Sequence, residues 1–243
     1  MKKISVIIGA SRGIGSQVAR VIAQKGISLH LIARDENRLK IIGDELSANY
    51  SAIDASNFDS LEAQFSELSG SGMQINSVIN CAGSVILKPA HMTSQAEFED
   101  MISKNLATAF SAVRPAGKFV RNGSVVLCSS AAVRVGLQNH EAVAAAKGGI
   151  EGLVRSAAAT YASKGVRVNA VAPGLTRTPM TKKITDNPVS LKISTEMHAL
   201  GRIGKTEDIA SAISWLADES QSWVTGQVIA VDGGLSTVVP RAR

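Results

Sequence analysis

At 243 residues, 45% of them hydrophobic, and with a formal net charge of +6, the chain is long enough to bury the full core of one domain. The basic residues are scattered, clustering only at Lys2-Lys3, Lys182-Lys183 and the Arg241-Ala-Arg243 tail, and an aromatic content of 4% leaves few platforms for base stacking. A nucleic-acid partner is therefore not expected, whereas an anionic cofactor suits the charge.

The opening Met-Lys-Lys-Ile-Ser-Val-Ile-Ile imitates a secretory leader, but its apolar run stops at Gly9, Arg12 follows, and nothing later approaches membrane-spanning length. The same stretch reads as a buried strand over 5–9, a glycine-rich turn, and a helix with apolar residues at Ile14, Val18, Val21 and Ile22. Glycine at the strand end permits a tight turn. Glycine at the helix start lets the backbone approach a phosphate, which then faces the unpaired N–H groups of the first turn. The spacing Gly-x-x-x-Gly-x-Gly thus makes a phosphate cradle, although such turns also serve purely structural ends.

Further strands are expected at 27–33, 51–53, 75–80, 124–128, 166–171 and 227–231. Helices are expected from Arg34, over 57–68, from about Ala142, and over 207–216. A helix over 110–121 carries Pro115 and Gly117, which predict a kink or an early end. Near-continuously apolar strands alternating with helices predict an α/β fold: one doubly wound parallel sheet spanning 1–243, covered on both faces, with ligands at the carboxyl ends of the strands. Residues 178–202 read as irregular, and loops of that length are usually functional or mobile. Met180, Ile184, Met197 and His198 could line an adaptable apolar pocket there, or simply pack beneath it. Cys81 and Cys128, each ending an apolar run with no metal-ligand partners nearby, read as reduced, buried thiols of a cytoplasmic protein without a metal site. In the Ala-rich helix, Gly148, Gly149 and Gly152 each cost roughly 0.5 to 1 kcal/mol against Ala, which the close approach of another backbone would offset.

Six motifs in order, Gly9-Ala-Ser-Arg-Gly-Ile-Gly15, Asn80-Cys-Ala-Gly83, Lys104-Asn-Leu106, Ser129-Ser130, Asn169-Ala-Val-Ala-Pro-Gly174 and Val231-Asp-Gly-Gly234, resemble the short-chain dehydrogenase/reductase family across nearly the whole chain. The resemblance implies a seven-stranded Rossmann-like sheet of order 3-2-1-4-5-6-7, a nicotinamide dinucleotide cofactor and a homodimer or homotetramer. It also implies a substrate lid at about 178–202. By that resemblance Gly9, Ser11, Arg12, Gly13, Ile14 and Gly15 hold the phosphates. Asp54 and Ala55 meet the adenine, Asn80, Ala82 and Gly83 pass close to the ribose, and Pro173, Gly174, Thr176 and Thr178 lie against the nicotinamide. Thr176 departs from the family, which usually has a branched apolar residue there, so its backbone contact transfers better than its side chain. At the end of the second strand an acidic residue would take the ribose hydroxyl of NAD; this chain has Ala33 and then Arg34, with Arg12 in the glycine loop. Two guanidiniums favour the extra phosphate of NADP, and Asp35 is the feature that would favour NAD.

The resemblance also assigns a catalytic set. Ser130 polarises the substrate oxygen, Lys147 bonds the nicotinamide ribose and Asn105 holds a water or a helix distortion behind them. The family's Tyr-x-x-x-Lys pattern, counted from either Lys147 or Ser130, puts the tyrosine position at Val143; the only tyrosines, Tyr50 and Tyr161, fall in other elements. Asn139-His-Glu-Ala-Val143 reads as an Asn cap and a first turn, setting His140 and Val143 on one face at i and i+3, so His140 is the candidate proton donor or acceptor in place of tyrosine, against the plain reading of a surface residue at a helix start. Arg134 is a weaker candidate that could bind a substrate carboxylate. The expected function is an NADP(H)-dependent oxidoreductase interconverting a carbonyl and an alcohol by hydride transfer. The alternative is a catalytically impaired dinucleotide-binding protein of the same fold, and net charge alone suggests a nucleic-acid-binding regulator.

Overall fold

The computed structural model describes residues 2–239. Seven strands, β1 (Lys3–Ile8), β2 (Ser28–Ala33), β3 (Asn49–Ala52), β4 (Gln74–Asn80), β5 (Ser124–Cys128), β6 (Arg167–Pro173) and β7 (Val228–Val231), form one sheet of order β3-β2-β1-β4-β5-β6-β7. Every pairing is parallel. The period of two along each strand divides the core. In β1, Val6 and Ile8 face one layer, packed with Phe65, Ala112 and Val154, while Ile7 faces the other, packed with Val18, Leu39 and Ile213.

Those contacts define the helical layers. Helices α1 (Gly13–Ala23), α2 (Glu36–Leu46) and α9 (Thr206–Ala217) cover one face; α3 (Phe58–Gly70), α5 (Thr108–Phe119) and α6 (Glu141–Tyr161) cover the other. The expected strand order and three-layer architecture hold. The second helix starts later than expected, because Asp35 accepts a hydrogen bond from the Arg38 N–H and caps α2, leaving Arg34 in the preceding turn.

Helix α5 does not break at Pro115 or Gly117; it runs through both to Phe119. A carbon added at Gly117 would sit 2.3 Å from Tyr161 Cζ, so this glycine makes room for the Tyr161 ring. The irregularity lies earlier: α4 (Gln95–Ile102) passes into a π-helical segment, Ser103–Ala107, before α5 begins. Side chains sustain it by capturing main-chain carbonyls, Asn105 Nδ2 donating to Met101 O at 2.9 Å and Thr108 Oγ1 to Asn105 O at 3.0 Å. In α6, Gly149 faces Leu106 of that segment, and an added carbon would lie 2.8 Å from its Cδ2. Gly152 faces open space.

The stretch expected to be irregular is largely helical: a 3-10 turn at Pro179–Thr181, then α7 (Lys182–Thr185) and α8 (Pro188–Met197). Asn187 caps α8 by accepting from the Ser190 N–H at 3.0 Å, and Pro188 opens it. Helix α8 buries none of its residues.

Candidate active site

The carboxyl ends of β1, β4, β5 and β6 carry the motif residues to one edge of the sheet. At β1 the glycines act by steric exclusion. Gly9 has φ +80°, and a carbon added there would lie 2.5 Å from Ala82 N; one added at Gly15 would lie 2.2 Å from Gly9 O. Arg12, the α1 cap residue, makes no side-chain capping bond, and no acidic residue occupies the first turn. That helix start therefore offers unpaired N–H groups and no competing carboxylate to an anion, the surroundings a dinucleotide pyrophosphate needs. Ser11 and Ile14 are half-buried beside it, and Arg12 is exposed.

At the β4 end, Asn80 Oδ1 accepts from the Ala82 N–H at 3.0 Å, locking the turn that presents Ala82 and Gly83. A carbon on Gly83 would meet Asn105 Oδ1 at 2.8 Å and Lys147 Nζ at 3.4 Å, so this glycine is where Asn105 and Lys147 converge. Asn105 is fully buried, its Oδ1 accepting from the Ser84 N–H at 3.3 Å. Ser84 was not singled out from the sequence; its place after Gly83 was the only signal. Lys147, 8% exposed, donates to the Cys128 carbonyl at 2.8 Å. Burial lowers its pKa, and the neighbouring Cys128 and Cys81 thiolates oppose that shift. An ammonium has three donors, and this one has a single acceptor among the described residues, which leaves it able to take the hydroxyls of a ribose. Ser130 Oγ accepts from the Ala132 N–H at 3.2 Å, and among the described residues its own proton has no acceptor. Val143 is buried in a small apolar cluster with Met101 and Ala146.

A family model described as Enoyl-(Acyl carrier protein) reductase matches residues 9–236 of this sequence. The chain belongs to the short-chain dehydrogenase/reductase family. The 3-oxoacyl-[acyl-carrier-protein] reductase of Mus musculus is 33% identical over 246 residues, covering 98% of this chain and 100% of the mouse protein. The 3-oxoacyl-[acyl-carrier-protein] reductase FabG of Escherichia coli is 32% identical over 241 residues, covering 97% and 98%. Among solved structures, ElxO with NADP bound superposes with a TM-score of 0.89 at 27% identity, covering 97% of this chain and 99% of that one. A tyrosine-to-phenylalanine variant of ElxO with NADPH bound gives 0.90. Thermoplasma acidophilum aldohexose dehydrogenase in ligand-free form gives 0.88, also at 27% identity, covering 100% and 97%.

Several residues read from the short-chain dehydrogenase/reductase pattern are differently engaged than expected. His140, not Asn139, is the cap residue of α6; Asn139 takes φ +64° and turns the chain into the helix. His140 Nδ1 donates to the Gln138 carbonyl at 2.7 Å, which leaves Nε2 as the ring's free nitrogen. In the neutral ring that atom only accepts, so His140 cannot donate a proton without first becoming imidazolium. Arg134 donates to the Val228 carbonyl at 2.6 Å and lies 3.8 Å from Glu151, an engagement that takes it away from the role of free carboxylate receptor. His198 is buried, with Nε2 accepting from the Leu175 N–H at 3.2 Å and Nδ1 donating to Ser194 O, so it braces the turn at Gly174, and it also lines a cleft with Leu200, Arg202 and Asp232. Met180 and Met197 are exposed. Thr178 pairs with Thr181 in a capping box and lies against Gly13, while buried Thr176 donates to Gly174 O at 3.1 Å. Pro173 ends β6 beside them.

Asp54 accepts from the Ser56 N–H and hydroxyl, which holds its carboxyl below the usual range, and stands 3.9 Å from Arg34; Ala55 is buried next to it. Asp35 is committed to the α2 cap and to Arg38 at 3.1 Å. Cys81 and Cys128 are free thiols but partly exposed rather than wholly buried. Among the described residues no helix is long and apolar enough to cross a membrane.

Proposed function

We propose that the chain is an NADP(H)-dependent oxidoreductase that interconverts a carbonyl and an alcohol, with Val143 where the family has its catalytic tyrosine. The observation that carries this reading is the convergence at Gly83: a buried ammonium with donors unspent among the described residues, an asparagine beside it, and Ser130, its hydroxyl proton uncommitted among the same residues, past the neighbouring strand end. When bound, the cofactor supplies or accepts hydride at C4 of its nicotinamide. Lys147 holds the ribose, and Ser130 donates its O–H to the substrate oxygen as that oxygen gains charge. The Asn80 turn would pass beside the cofactor's ribose and the Gly174 backbone beside its nicotinamide, orienting the cofactor for the reaction. Asp35 is withdrawn into a helix cap while Arg34 and Arg12 remain exposed, a distribution that supports the phosphate of NADP over NAD.

Without tyrosine, His140 Nε2 is the candidate proton acceptor in alcohol oxidation and, as imidazolium, the donor in reduction. Two observations favour a second reading, a dinucleotide-binding protein with impaired catalysis: Val143 is packed in apolar surroundings, and the Tyr161 ring is committed against Gly117. The exposed Gly152 face of α6 supports a homodimer or homotetramer, and the free thiols support a cytoplasmic setting. A carbonyl panel with NADPH on four proteins tests these readings: native, Ser130→Ala, His140→Ala and Val143→Tyr. Ser130→Ala should lower kcat by about a hundredfold with NADPH affinity intact. Unchanged turnover in His140→Ala removes that residue from the mechanism, and turnover confined to Val143→Tyr selects the binding-protein reading. Light scattering that finds a monomer at micromolar concentration removes the oligomer.

A further inference from the structure

The chain has two cysteines, and the sheet makes them neighbours. The β4–β5 register runs from Ser77↔Ser124 to Asn80↔Leu127, and one further step sets Cys81 beside Cys128. Both backbones are still held at that level, the Cys81 N–H donating to Ile8 O at 2.8 Å and Cys128 paired with Val171. Strands in a sheet lie about 4.7–4.9 Å apart, inside the Cα separation of about 4.4–6.8 Å that disulfides span. In-register neighbours point to the same face, and both side chains pack in one cluster, with Ile79 and Val126 two residues behind them. Neither residue is fully covered.

We propose that Cys81 and Cys128 form an intrachain disulfide on reaction with hydrogen peroxide, making the floor of the cofactor cleft a site of reversible oxidation. One thiolate attacks the peroxide oxygen, breaking the O–O bond and giving a sulfenic acid and water. The second thiol then attacks that sulfur, the S–S bond forms and the S–OH oxygen leaves as water. Two thiols are oxidised, one peroxide is reduced to two waters, and no other reactant enters. Burial raises both thiol pKa values, with the Cys128 charge adding to the shift at Cys81 and Lys147 opposing both, so the reaction quickens as pH rises. A bridge between directly opposed strand ends shifts their spacing, because parallel neighbours lie closer than the commonest Cα separation of a disulfide. Cys128 carries the carbonyl that anchors Lys147, and Cys81 separates Asn80 from Ala82, so the bridge loosens the cofactor site. This last step, unlike the bridge itself, rests on the proposed cofactor site.

Full-length reduced protein is treated with hydrogen peroxide at mildly alkaline pH and followed by intact mass, alkylation and non-reducing peptide mapping. The expected result is a loss of about 2 Da, both thiols closed to alkylation, and a linked Cys81–Cys128 peptide that dithiothreitol separates. Cys81→Ala should instead leave Cys128 open to alkylation. No reaction, oxygen addition at one cysteine with the other still alkylatable, or a linkage between chains overturns the bridge. NADPH titration, read by cofactor fluorescence, should then show several-fold weaker binding to the oxidised protein, and equal affinity in the two states overturns its control of the site. A bridged protein whose reduced form does not bind NADPH supports the bridge and overturns the cofactor reading.

Discussion

Around Gly9, Gly15 and Gly83 there is no room for one more carbon, whereas α8, ten residues long, buries none of its side chains. The two regions are built differently. The glycine side is set by atoms that leave no space for a side chain, backbone at Gly9 and Gly15 and the Asn105 amide at Gly83, so its shape follows from where glycine stands. The α8 side presents Val189 and Ile193, 69% and 54% exposed, on a helix closed by an Asn cap and an initial proline rather than by core packing. A side defined by steric exclusion suits a ligand of invariant shape, and one with little packing to lose suits a segment that must move or vary.

The sharpest break in this contrast comes from adding a single carbon. Gly15→Ala puts Cβ against the Gly9 carbonyl and should lower stability by about 3 kcal/mol, a fall in Tm of roughly 6–12 °C by thermal unfolding. A Tm within about 2 °C of the native protein would mean that the cradle yields as readily as α8. Next in size, Arg34→Ala should weaken NADPH binding by about tenfold in titration calorimetry and leave NADH unchanged, because only the extra phosphate is lost as a partner. Equal losses for both cofactors would remove Arg34 from the choice between them.

Asp208 sits between the two regimes. It accepts from Arg202 Nη1 and Nη2, at 2.6 and 2.9 Å, and from the Lys205 N–H, and these bonds hold its carboxyl down from 3.8 to about 2. A folded-state pKa below the unfolded one stabilises above the unfolded value and loses that contribution as pH falls through the folded value. Asp208→Asn should therefore cost about 0.5 kcal/mol at neutral pH, the pair being partly exposed, and the gap in Tm should close between about pH 4 and pH 2. A gap that stays constant with pH would assign the effect to the cap and not to the charge. Smallest of all, Ile193→Ser should change stability by less than about 0.5 kcal/mol while altering KM for apolar carbonyl substrates. A drop in Tm as large as that of Gly15→Ala would show that α8 is packed after all.

The same division governs what could be read from the chain. The alternation of apolar strands and helices announced the layers and, with the glycine spacing, the cradle, because both depend on residues adjacent in sequence. Helix α8 is readable from Asn187-Pro188, a cap followed by a first-turn proline; of the residues offered as a pocket lining it carries only Met197, which is exposed. His140 was placed one position into the helix because Asn139 is a good capping residue; its φ of +64° depends instead on the turn around it, whose Asn139 carbonyl accepts from the Lys88 N–H at 2.8 Å. Arg134 is engaged by Val228, on an element far along the chain, and His198 by Leu175 in the turn it braces, contacts that no local pattern announces. Composition carried the cysteines' reduced state, while their adjacency emerged only from the strand register.

The π-helical segment Ser103–Ala107 also acts as a counter. An α-helix turns by about 100° per residue, so the extra residue accommodated there sets the angle between the face of α4 that carries Met101 and the face of α5 that carries Ala112 and Ala116. Deleting one residue would restore regular winding with those faces still nearly aligned and would cost the side-chain captures around Asn105, whereas inserting one more would swing a face out of the core. The stretch between the Ser94 cap and Val120 therefore tolerates the loss of a residue better than the gain of one.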